Sequence, residues 1–323
     1  MKINSIDVSL IIVNWNTKDL LVKCIESIYK ETTEHTFEII VVDNGSSDDS
    51  QYEIKRRFHD VILIENSRNL GFAKANNIGI EKAIGRYITL VNSDIVVLDS
   101  CIDKMIYYMD SHNEIGAMGP KTINEDLTLR QNCREFPSLR SLFCEMLFLD
   151  TLFPRVYIFR GKTLSTQTYE QNHEAEVISG CFFMVRREAL DQVGYLDERF
   201  YIYGEDVDWC KRFHSHKWKV IFYADAISIH HGGGSASKAP LKFLMEKENA
   251  DLKYWKKHHG HVAVFLYLLL RITYHCLYTL GWMLIFVCKK SKRKVARKKI
   301  ISLKTKLHWI LFRNQLNTGK INN

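Results

Sequence analysis

Two acidic segments of this chain lie in surroundings that suit metal binding or acid–base catalysis. The first is the tripeptide Asn92-Ser93-Asp94, which follows the apolar run 87–91 and precedes another at 95–98. An unpaired carboxylate beside a buried strand is unfavourable, because burial disfavours its charged form. A divalent cation that bridges Asp94 to a phosphate group would compensate this charge. The alternative is a loop aspartate that caps the following turn.

The second group consists of Glu205, Asp206 and Asp208, at the start of a predicted helix over about 206–216. The helix dipole favours acidic residues in a first turn, which is the simpler explanation. However, four aromatic residues, at positions 200, 201, 203 and 209, surround these carboxylates in the sequence. Aromatic cover would exclude water and raise the pKa of a carboxylate, as a general base requires.

Two histidines form a third candidate. His230 and His231 end a predicted strand over 226–231 and precede a glycine-rich loop. A histidine at this place fits a metal ligand beside Asp94. Without Asp94, a core or capping histidine would be the better interpretation.

The elements before Asp94 predict how these groups come together. Predicted strands alternate with predicted helices, which is typical of βαβ units and a mostly parallel sheet; the strands are 8–13, 37–42, 61–65 and 87–91. Ligands bind beyond the carboxyl ends of the strands in such sheets. Because the first strand ends at Asn14, the second at Asp43 and the fourth near Asp94, we expect these side chains to converge at one edge.

Other residues near this edge fit a nucleotide. Asp43 is able to accept a hydrogen bond from a base imide or a ribose hydroxyl, and Arg68 and Lys74 offer positive charge to a diphosphate. The chain contains neither a GxGxxG fingerprint nor a GxxxxGK[ST] loop. This disfavours dinucleotide-binding and P-loop classes.

Charge is unevenly distributed. The formal net charge is +8, and eight of the eleven residues in 289–299, the basic cluster, are Lys or Arg. An apolar segment, residues 262–288, directly precedes the basic cluster. This neighbour favours anionic lipid over nucleic acid as the partner, so we expect no nucleic-acid partner. The eight cysteines include no CxxC pair, which disfavours a zinc knuckle or a disulfide framework.

Seven motifs, taken in order, resemble the family 2 glycosyltransferases with the GT-A fold. Within that family they are most similar to the rhamnosyltransferase-like branch of bacterial surface polysaccharide synthesis. The resemblance covers about residues 6–237, and the motifs are SLIIVNWN, IIVVDNGSSD, NLGFAKANNIGI, YITLVNSD, SGCFFMVRREAL, GYLDERFYIYGEDVDWCKR and ISIHHGGGS.

The resemblance implies an α/β fold of GT-A type, a nucleoside-diphosphate sugar donor, a divalent cation (Mg²⁺ or Mn²⁺) and inversion at the anomeric carbon. Asp94 would be the metal ligand, completed by His230 or His231. Asp206 would be the catalytic base, with Glu205 as a binding group or second choice. The residues expected to bind the donor are Asn14, Asp43, Arg68, Lys74, Asn92 and Ser93.

The expected mechanism is a single displacement. Asp206 accepts the proton of the acceptor hydroxyl, which attacks from the face opposite the departing diphosphate. One carboxylate base suffices, whereas a glycoside hydrolase needs two carboxylates. The resemblance favours rhamnose as the sugar, on a dTDP carrier, and a saccharide or a polyprenyl-diphosphate-linked acceptor.

The C-terminal region predicts membrane association. Segment 262–288 is long enough to span a bilayer. Both of its flanks are basic, and a single span would export one of them, against the positive-inside rule. We therefore expect a monotopic, re-entrant or hairpin attachment at the cytoplasmic face, on an anionic surface. The alternative is a buried helical hairpin. The predicted domains are 1–240, catalytic, and 241–323, helical and membrane-associating.

Two other functions compete with this one. A sugar nucleotidyltransferase would use a similar sheet, but we find no Gly-rich, Arg/Lys-bearing triphosphate loop after the first strand. A non-catalytic, membrane-bound scaffold of the same fold would be expected to lack Asp94 or Asp206, and the chain has both.

Overall fold

A computed structural model describes residues 6–153, 156–159, 161, 166–232 and 240–316. The chain forms two compact units. The first unit comprises residues 1–136 and 163–246, and the second comprises 137–162 and 247–323. The sequence placed the boundary at 240 and kept 137–162 in the first domain, whereas the structure groups that segment with the C-terminal region.

The first unit is built on one large sheet and a small two-stranded one. The strands are β1 Val8–Asn14, β2 Phe37–Asp43, β3 Ile62–Glu65, β4 Tyr87–Asn92, β5 Ile95–Leu98, β6 Ile115–Ile123, β7 Leu129–Arg130, β8 Cys133–Arg134, β9 His173–Glu174, β10 Val177–Ile178, β11 Phe182–Arg186 and β12 Lys219–His230. The main path of the large sheet is β3-β2-β1-β4-β11-β6-β12-β5, and β8 pairs with β10 separately.

The half of the sheet formed by β3, β2, β1 and β4 is parallel, as predicted. In its register Asn14 lies opposite Asp43, and Val13 lies opposite Asn92. The carboxyl ends of these strands therefore meet at one edge. The other half is mixed, because β11 runs antiparallel to both β4 and β6.

Helices flank the sheet of the first unit, and further helices form the second unit. They are α1 Lys18–Glu31, α2 Ser50–Arg57, α3 Phe72–Ile80, α4 Cys101–Asp110, α5 Leu139–Met146, α6 Leu149–Leu152, α7 Arg187–Val193, α8 Glu205–Ser215, α9 Pro240–His258, α10 His261–Cys288 and α11 Arg293–Leu316. Helix α1 shows why they form, since Leu21, Cys24, Ile25 and Ile28 recur at helical spacing and are all buried.

The core of the first unit lies between the parallel strands and helices α1 and α4. Alternate residues of β1, such as Leu10 and Ile12, pack there together with Ile25 and Met105. Residues on both faces of β1 are buried, which explains its near-continuous run of apolar residues.

Two strands have unusual extents. The apolar run 177–185 forms two strands, β10 and β11, on either side of Gly180. Strand β6 continues through Pro120 to Ile123. Proline lacks only its own N–H, and its carbonyl still accepts a hydrogen bond from Asn132 at 2.8 Å.

The second unit is helical. Helix α9 begins in the first unit and ends in the second. Among the described residues, α10 alone is long and apolar enough to cross a membrane, as judged by length and composition.

Candidate active site

A cavity of about 250 Å³ lies in the first unit, beyond the carboxyl ends of the parallel strands. Its lining comes from the ends of β1 and β4, from the segments that follow β1, β2, β3 and β4, and from four later parts of the chain. The lining residues are Val13, Trp15, Thr17, Asn44, Asn69, Gly71, Phe72, Asn92, Ser93, Asp94, Arg130, Tyr201, Ile202, Tyr203, His230 and Phe243.

A chain of hydrogen bonds forms the floor of this cavity. Ser93 Oγ and Thr17 Oγ1 lie 2.7 Å apart, and Thr17 donates to Asn14 Oδ1 at 2.7 Å. Asn14 Nδ2 in turn donates to Asp43 Oδ2 at 2.7 Å. The chain therefore links the ends of the three parallel strands that the sequence predicted to converge.

Two predicted donor-binding residues, Asn14 and Asp43, lie beneath the lining. Their exposed fractions are 0% and 1%. The carboxylate of Asp43 accepts from Asn14, from Ser46 N–H at 2.9 Å and from Gln51 Nε2 at 2.6 Å. These partners engage both carboxylate oxygens, so Asp43 acts on the cavity by positioning its neighbours.

Asp94 and His230 face each other at the cavity. His230 Nε2 lies 3.1 Å from Asp94 Oδ1, and both residues are buried. Burial alone would raise the pKa of Asp94, but the hydrogen bond and charge of His230, together with a backbone N–H and the charge of Arg130, outweigh burial and leave the pKa below its ordinary value. Burial opposes a charged imidazole, yet Asp94 and Cys181 together raise the pKa of His230 to about 9.

His231 lies outside the cavity lining. Its Nδ1 pairs with Glu125, and its backbone N–H donates to the Asp94 carbonyl at 3.0 Å. Successive side chains along extended backbone point to opposite sides, which explains why only one of the two histidines reaches Asp94.

These residues fit a cation that is shared with a substrate. Asp94 supplies a carboxylate oxygen, and His230 supplies a ring nitrogen. His230 Nδ1 is buried and has no hydrogen-bond partner in the described part of the chain. Within the described residues, no three His, Cys, Asp or Glu side chains form a group that could hold a metal. Two protein ligands plus phosphate oxygens form a common arrangement for Mg²⁺.

The positively charged side chain that lines the cavity is not one of the two that the sequence predicted to bind the donor. Arg68 and Lys74 are exposed and are not among the lining residues, and Lys74 pairs with Glu198 at 3.3 Å. Arg130, on β7, lines the cavity and donates from Nη1 to the His230 carbonyl at 3.1 Å. The contact of Arg68 and Lys74 with the donor therefore stays a prediction, and Arg130 is the arginine that lines the cavity.

One wall of the cavity is formed by residues 201–203. The Phe72 N–H donates to the Tyr201 carbonyl at 2.6 Å. A Cβ atom on Gly71 would lie 2.4 Å from that carbonyl oxygen, and the φ of Gly71 is +90°. Only glycine fits this position, because it permits both the close approach and the left-handed backbone.

The predicted base residues follow this wall directly. Tyr203 and Gly204 have φ values of 68° and 82°, which turn the chain into α8. Glu205 and Asp206 open that helix and are buried, and neither is among the lining residues. Arg134 Nη2 donates to both oxygens of Asp206, at 2.9 and 2.8 Å. The ion pair draws the Asp206 carboxylate toward β8.

Glu205 lies in a different environment from Asp206. Its Oε2 is buried and, within the described residues, accepts no hydrogen bond. Burial, followed by the negative charge of Asp206, raises the pKa of Glu205 to about 8. The expected rise in a carboxylate pKa is therefore found at Glu205, which carries a proton at neutral pH, while Asp206 is the carboxylate paired with a cation.

This arrangement predicts that the contribution of Glu205 to the free energy of unfolding depends on pH. Between pH 4.5, its ordinary pKa, and about 8, the folded chain holds a proton that the unfolded chain has lost. The Glu205 contribution to the free energy of unfolding should therefore fall by about 1.4 kcal/mol per pH unit as pH rises through this window. Glu205→Gln removes the titrating group, so its stability relative to the parent should increase from pH 5 to pH 8.

Urea unfolding at several pH values would measure this difference. The exposed Glu188 provides a matched control, since Glu188→Gln should leave the pH dependence unchanged. A constant difference between Glu205→Gln and the parent across the window would contradict the assignment.

Several residues of the site were not predicted from the sequence. Thr17 and Asn44 are polar residues next to predicted strand ends, and that position could have identified them. Arg130 and Arg134 belong to strands of only two residues, which have no periodicity to read.

Proteins of similar sequence match about two thirds of this chain or more. The chain is 28% identical over 225 residues to an N-acetylglucosaminyl-diphospho-decaprenol L-rhamnosyltransferase of Mycobacterium tuberculosis, covering 66% of this chain and 72% of that protein. It is 25% identical to an O-antigen biosynthesis protein of Myxococcus xanthus, covering 71% of this chain and 17% of that protein.

Solved structures show the same fold at low identity. A mannosyltransferase from Pyrobaculum calidifontis, in complex with GDP-Man and Mn²⁺, aligns with a TM-score of 0.55 and 14% identity, over 94% of this chain and 87% of that one. TarS from S. aureus aligns with a TM-score of 0.51 and 13% identity, over 89% and 45%. These likenesses support the predicted GT-A-like α/β fold.

The model of one family, described as glycosyl transferase family 2, matches residues 9–194, which is more than half of the chain. The match includes β1, β2, β4 and Asp94, and therefore much of the cavity described above. This chain belongs to glycosyl transferase family 2 and is a glycosyltransferase that resembles rhamnosyltransferases.

Proposed function

We propose that this protein is an inverting, metal-dependent glycosyltransferase that transfers rhamnose from a nucleoside diphosphate, with dTDP favoured, in the synthesis of a surface polysaccharide. The observation that carries the proposal is the Asp94–His230 pair, 3.1 Å apart, in a cavity that Arg130 also lines. One carboxylate, one imidazole and one guanidinium fit a cation–diphosphate pair. The rhamnosyltransferase relative supports the choice of sugar.

The donor occupies the cavity in this proposal. Arg130 bears a fixed positive charge and is held by the His230 carbonyl, so it meets phosphate oxygens without reorganising. Ser93 and Thr17 offer hydroxyls at the floor. Asn14 and Asp43 bind the donor indirectly, by fixing those hydroxyls and the segment that carries Asn44. Asn92 lies at the end of β4, on the same rim.

Asp94 and His230 would hold the divalent cation, Mg²⁺ or Mn²⁺. When bound, this cation neutralises the charge that develops on the leaving diphosphate. Asp94 would contribute a carboxylate oxygen and His230 a ring nitrogen in its neutral form. His231 serves through its backbone, which donates to the carbonyl of Asp94.

Asp206 is the proposed base. It is the carboxylate that pairs with Arg134, whereas burial and the charge of Asp206 raise the pKa of Glu205 to about 8, so Glu205 fits a hydrogen-bond donor. Asp206 accepts the proton of the acceptor hydroxyl while the acceptor oxygen forms a bond to the anomeric carbon and the bond from that carbon to the diphosphate breaks. Arg134 orients the carboxylate.

We further propose a lipid-linked acceptor and a site of action at the cytoplasmic face of the membrane, reached by peripheral attachment. The relative from Mycobacterium tuberculosis is named for a diphospho-decaprenol substrate. Helix α10 is apolar and is followed by the basic cluster, which fits an anionic bilayer surface.

Calorimetric titration with dTDP, UDP and GDP, each with and without Mn²⁺, tests the proposed reaction class. We expect one nucleotide to bind, and only in the presence of the metal. Folded protein that binds none of them would favour the scaffold function. Tight binding of a nucleoside triphosphate, with release of diphosphate on adding a sugar phosphate, would favour the nucleotidyltransferase.

A further inference from the structure

Exposed apolar side chains are concentrated in the second unit. Among the described residues, 28 large hydrophobic side chains are exposed, and twenty of them lie in the second unit. The larger first unit has eight, which are scattered along its sequence. A concentration of exposed apolar side chains of this kind marks a surface that contacts a membrane or another molecule.

Helix α10 has two different faces. Tyr267, His275 and Thr279 are buried, and with Arg271 they recur at every fourth residue, on one side of the helix. The opposite side has a continuous set of exposed apolar residues that recur every three, four or eight positions. This set, the apolar stripe, consists of Val262, Leu266, Leu269, Leu277, Leu280, Leu284 and Val287.

The polar face of α10 is occupied by charges from its neighbours. Glu248 of α9 pairs with Arg271, and Lys306 of α11 lies 3.0 Å from the other oxygen of Glu248. The side chain of Glu248 is only 4% exposed. Helix α10 is therefore covered by α9 and α11 on this side, and lipid cannot surround it as it would surround an isolated span.

A second apolar segment packs beside α10. The Phe148 ring stacks on Tyr278 of α10, with a centroid distance of 4.8 Å and an interplanar angle of 19°. Around this contact, the segment that contains α5 and α6 exposes Phe143, Leu147, Leu152 and Phe153. More than a hundred residues separate the two segments in sequence.

Charge identifies the matching partner. The basic cluster follows α10 directly and begins α11. Its eight Lys and Arg residues lie within eleven positions, next to the apolar stripe. Apolar side chains that enter the acyl boundary, with cations beside them at the headgroups, match an anionic bilayer surface.

We propose that the second unit binds the surface of an anionic bilayer through two sequence-remote elements, the apolar stripe of α10 and the exposed residues of segment 143–153. This inference deepens the membrane attachment proposed above and rests on it. Helix α10, about 42 Å long at 1.5 Å per residue, lies along the membrane surface with its polar face toward α9 and α11.

Flotation of the full-length protein with vesicles tests this surface. The vesicles are phosphatidylcholine alone or phosphatidylcholine with about a third phosphatidylglycerol, at low and high salt. We expect binding to the anionic vesicles that weakens with salt. The variants Phe143→Glu/Leu152→Glu and Leu280→Glu/Leu284→Glu should each reduce the bound fraction about tenfold or more, because each places two charges at the apolar boundary.

The first unit provides a matched control. Tyr52→Glu/Ile84→Glu changes two side chains that are 68% and 69% exposed, comparable to Leu152 at 66%, and should bind vesicles like the parent. Nucleotide titration of every variant reports on the first unit separately, so failure of the proposed reaction is distinguishable from failure of this surface.

Three results would overturn the inference. Parent-like vesicle binding by Phe143→Glu/Leu152→Glu would remove segment 143–153 from the membrane surface. Equal binding to neutral and anionic vesicles would remove the role of the basic cluster. A parent protein that ignores vesicles, and forms a dimer that the Phe143→Glu/Leu152→Glu substitutions dissociate, would assign the surface to a second copy of the chain.

Discussion

Asp206→Asn should abolish sugar transfer, with a loss of about 10²–10⁴-fold in kcat, while the metal-dependent nucleotide Kd changes little. Asparagine keeps the shape of the side chain but cannot accept the proton of the acceptor hydroxyl. The donor cavity is unaffected, because Asp206 is not among its lining residues. Transfer assays with purified acceptor and nucleotide titration would measure the two quantities separately.

A matched control is Asp197→Asn, which also changes an aspartate paired with an arginine, Arg199, away from the cavity lining. This variant should retain parental activity. If Asp206→Asn instead weakened nucleotide binding and left kcat intact, Asp206 would be a binding residue. Transfer at the parental rate would move the base to another group, with Glu205 the first to test.

The ion pair with Arg134 explains why Asp206 should be sensitive to small changes. Both of its carboxylate oxygens accept from one guanidinium nitrogen, and Gly180 N–H lies 3.4 Å from Oδ2. These donors hold the carboxylate in one orientation inside a buried site, so a change at Arg134 or Gly180 would alter the orientation of Asp206.

Asp94→Asn should weaken Mn²⁺-dependent nucleotide binding by about tenfold or more, and transfer should fall with it. The substitution removes the anionic ligand and leaves His230 without its charged partner. Without metal, neither the parent nor the variant should bind the nucleotide measurably. Calorimetric titration across a range of Mn²⁺ concentrations would show the loss as weaker nucleotide binding by the variant at each concentration.

Asp99→Asn is the corresponding control, since Asp99 is 70% exposed and pairs with Lys104 away from the cavity lining. It should bind nucleotide like the parent. Unchanged, metal-dependent binding by Asp94→Asn would contradict the proposed metal site. Thermal unfolding without nucleotide would show whether any loss comes from a damaged fold.

The parallel half of the sheet could be predicted because the sequence features that determine it lie within short segments of the chain. Each strand is a short apolar run that ends in a polar residue, and the alternation with helices determines that the ends meet. The convergence of Asn14, Asp43 and Asp94 follows from this alone, and the hydrogen bonds of the cavity floor join Asp43 and Asn14 to Ser93, the residue before Asp94.

The rest depends on contacts between distant parts of the chain. Arg130 and Arg134 reach the site from two-residue strands, which form only because β6 and β10 are already in place. Arg68 and Lys74 were nearer in sequence, but proximity in sequence does not determine where a long cationic side chain points. Segment 137–162 joins the second unit through packing against α10, and no local pattern encodes that contact.

The hydrogen bond between Phe72 and Tyr201 joins residues 129 positions apart. Closing a loop of this length is an entropic cost that must be met before the wall of the cavity exists, and contacts of such high sequence separation slow folding. On a growing chain, the parallel strands emerge long before the segment that completes the site. Competence to bind the donor is therefore acquired late, after synthesis has passed residue 201.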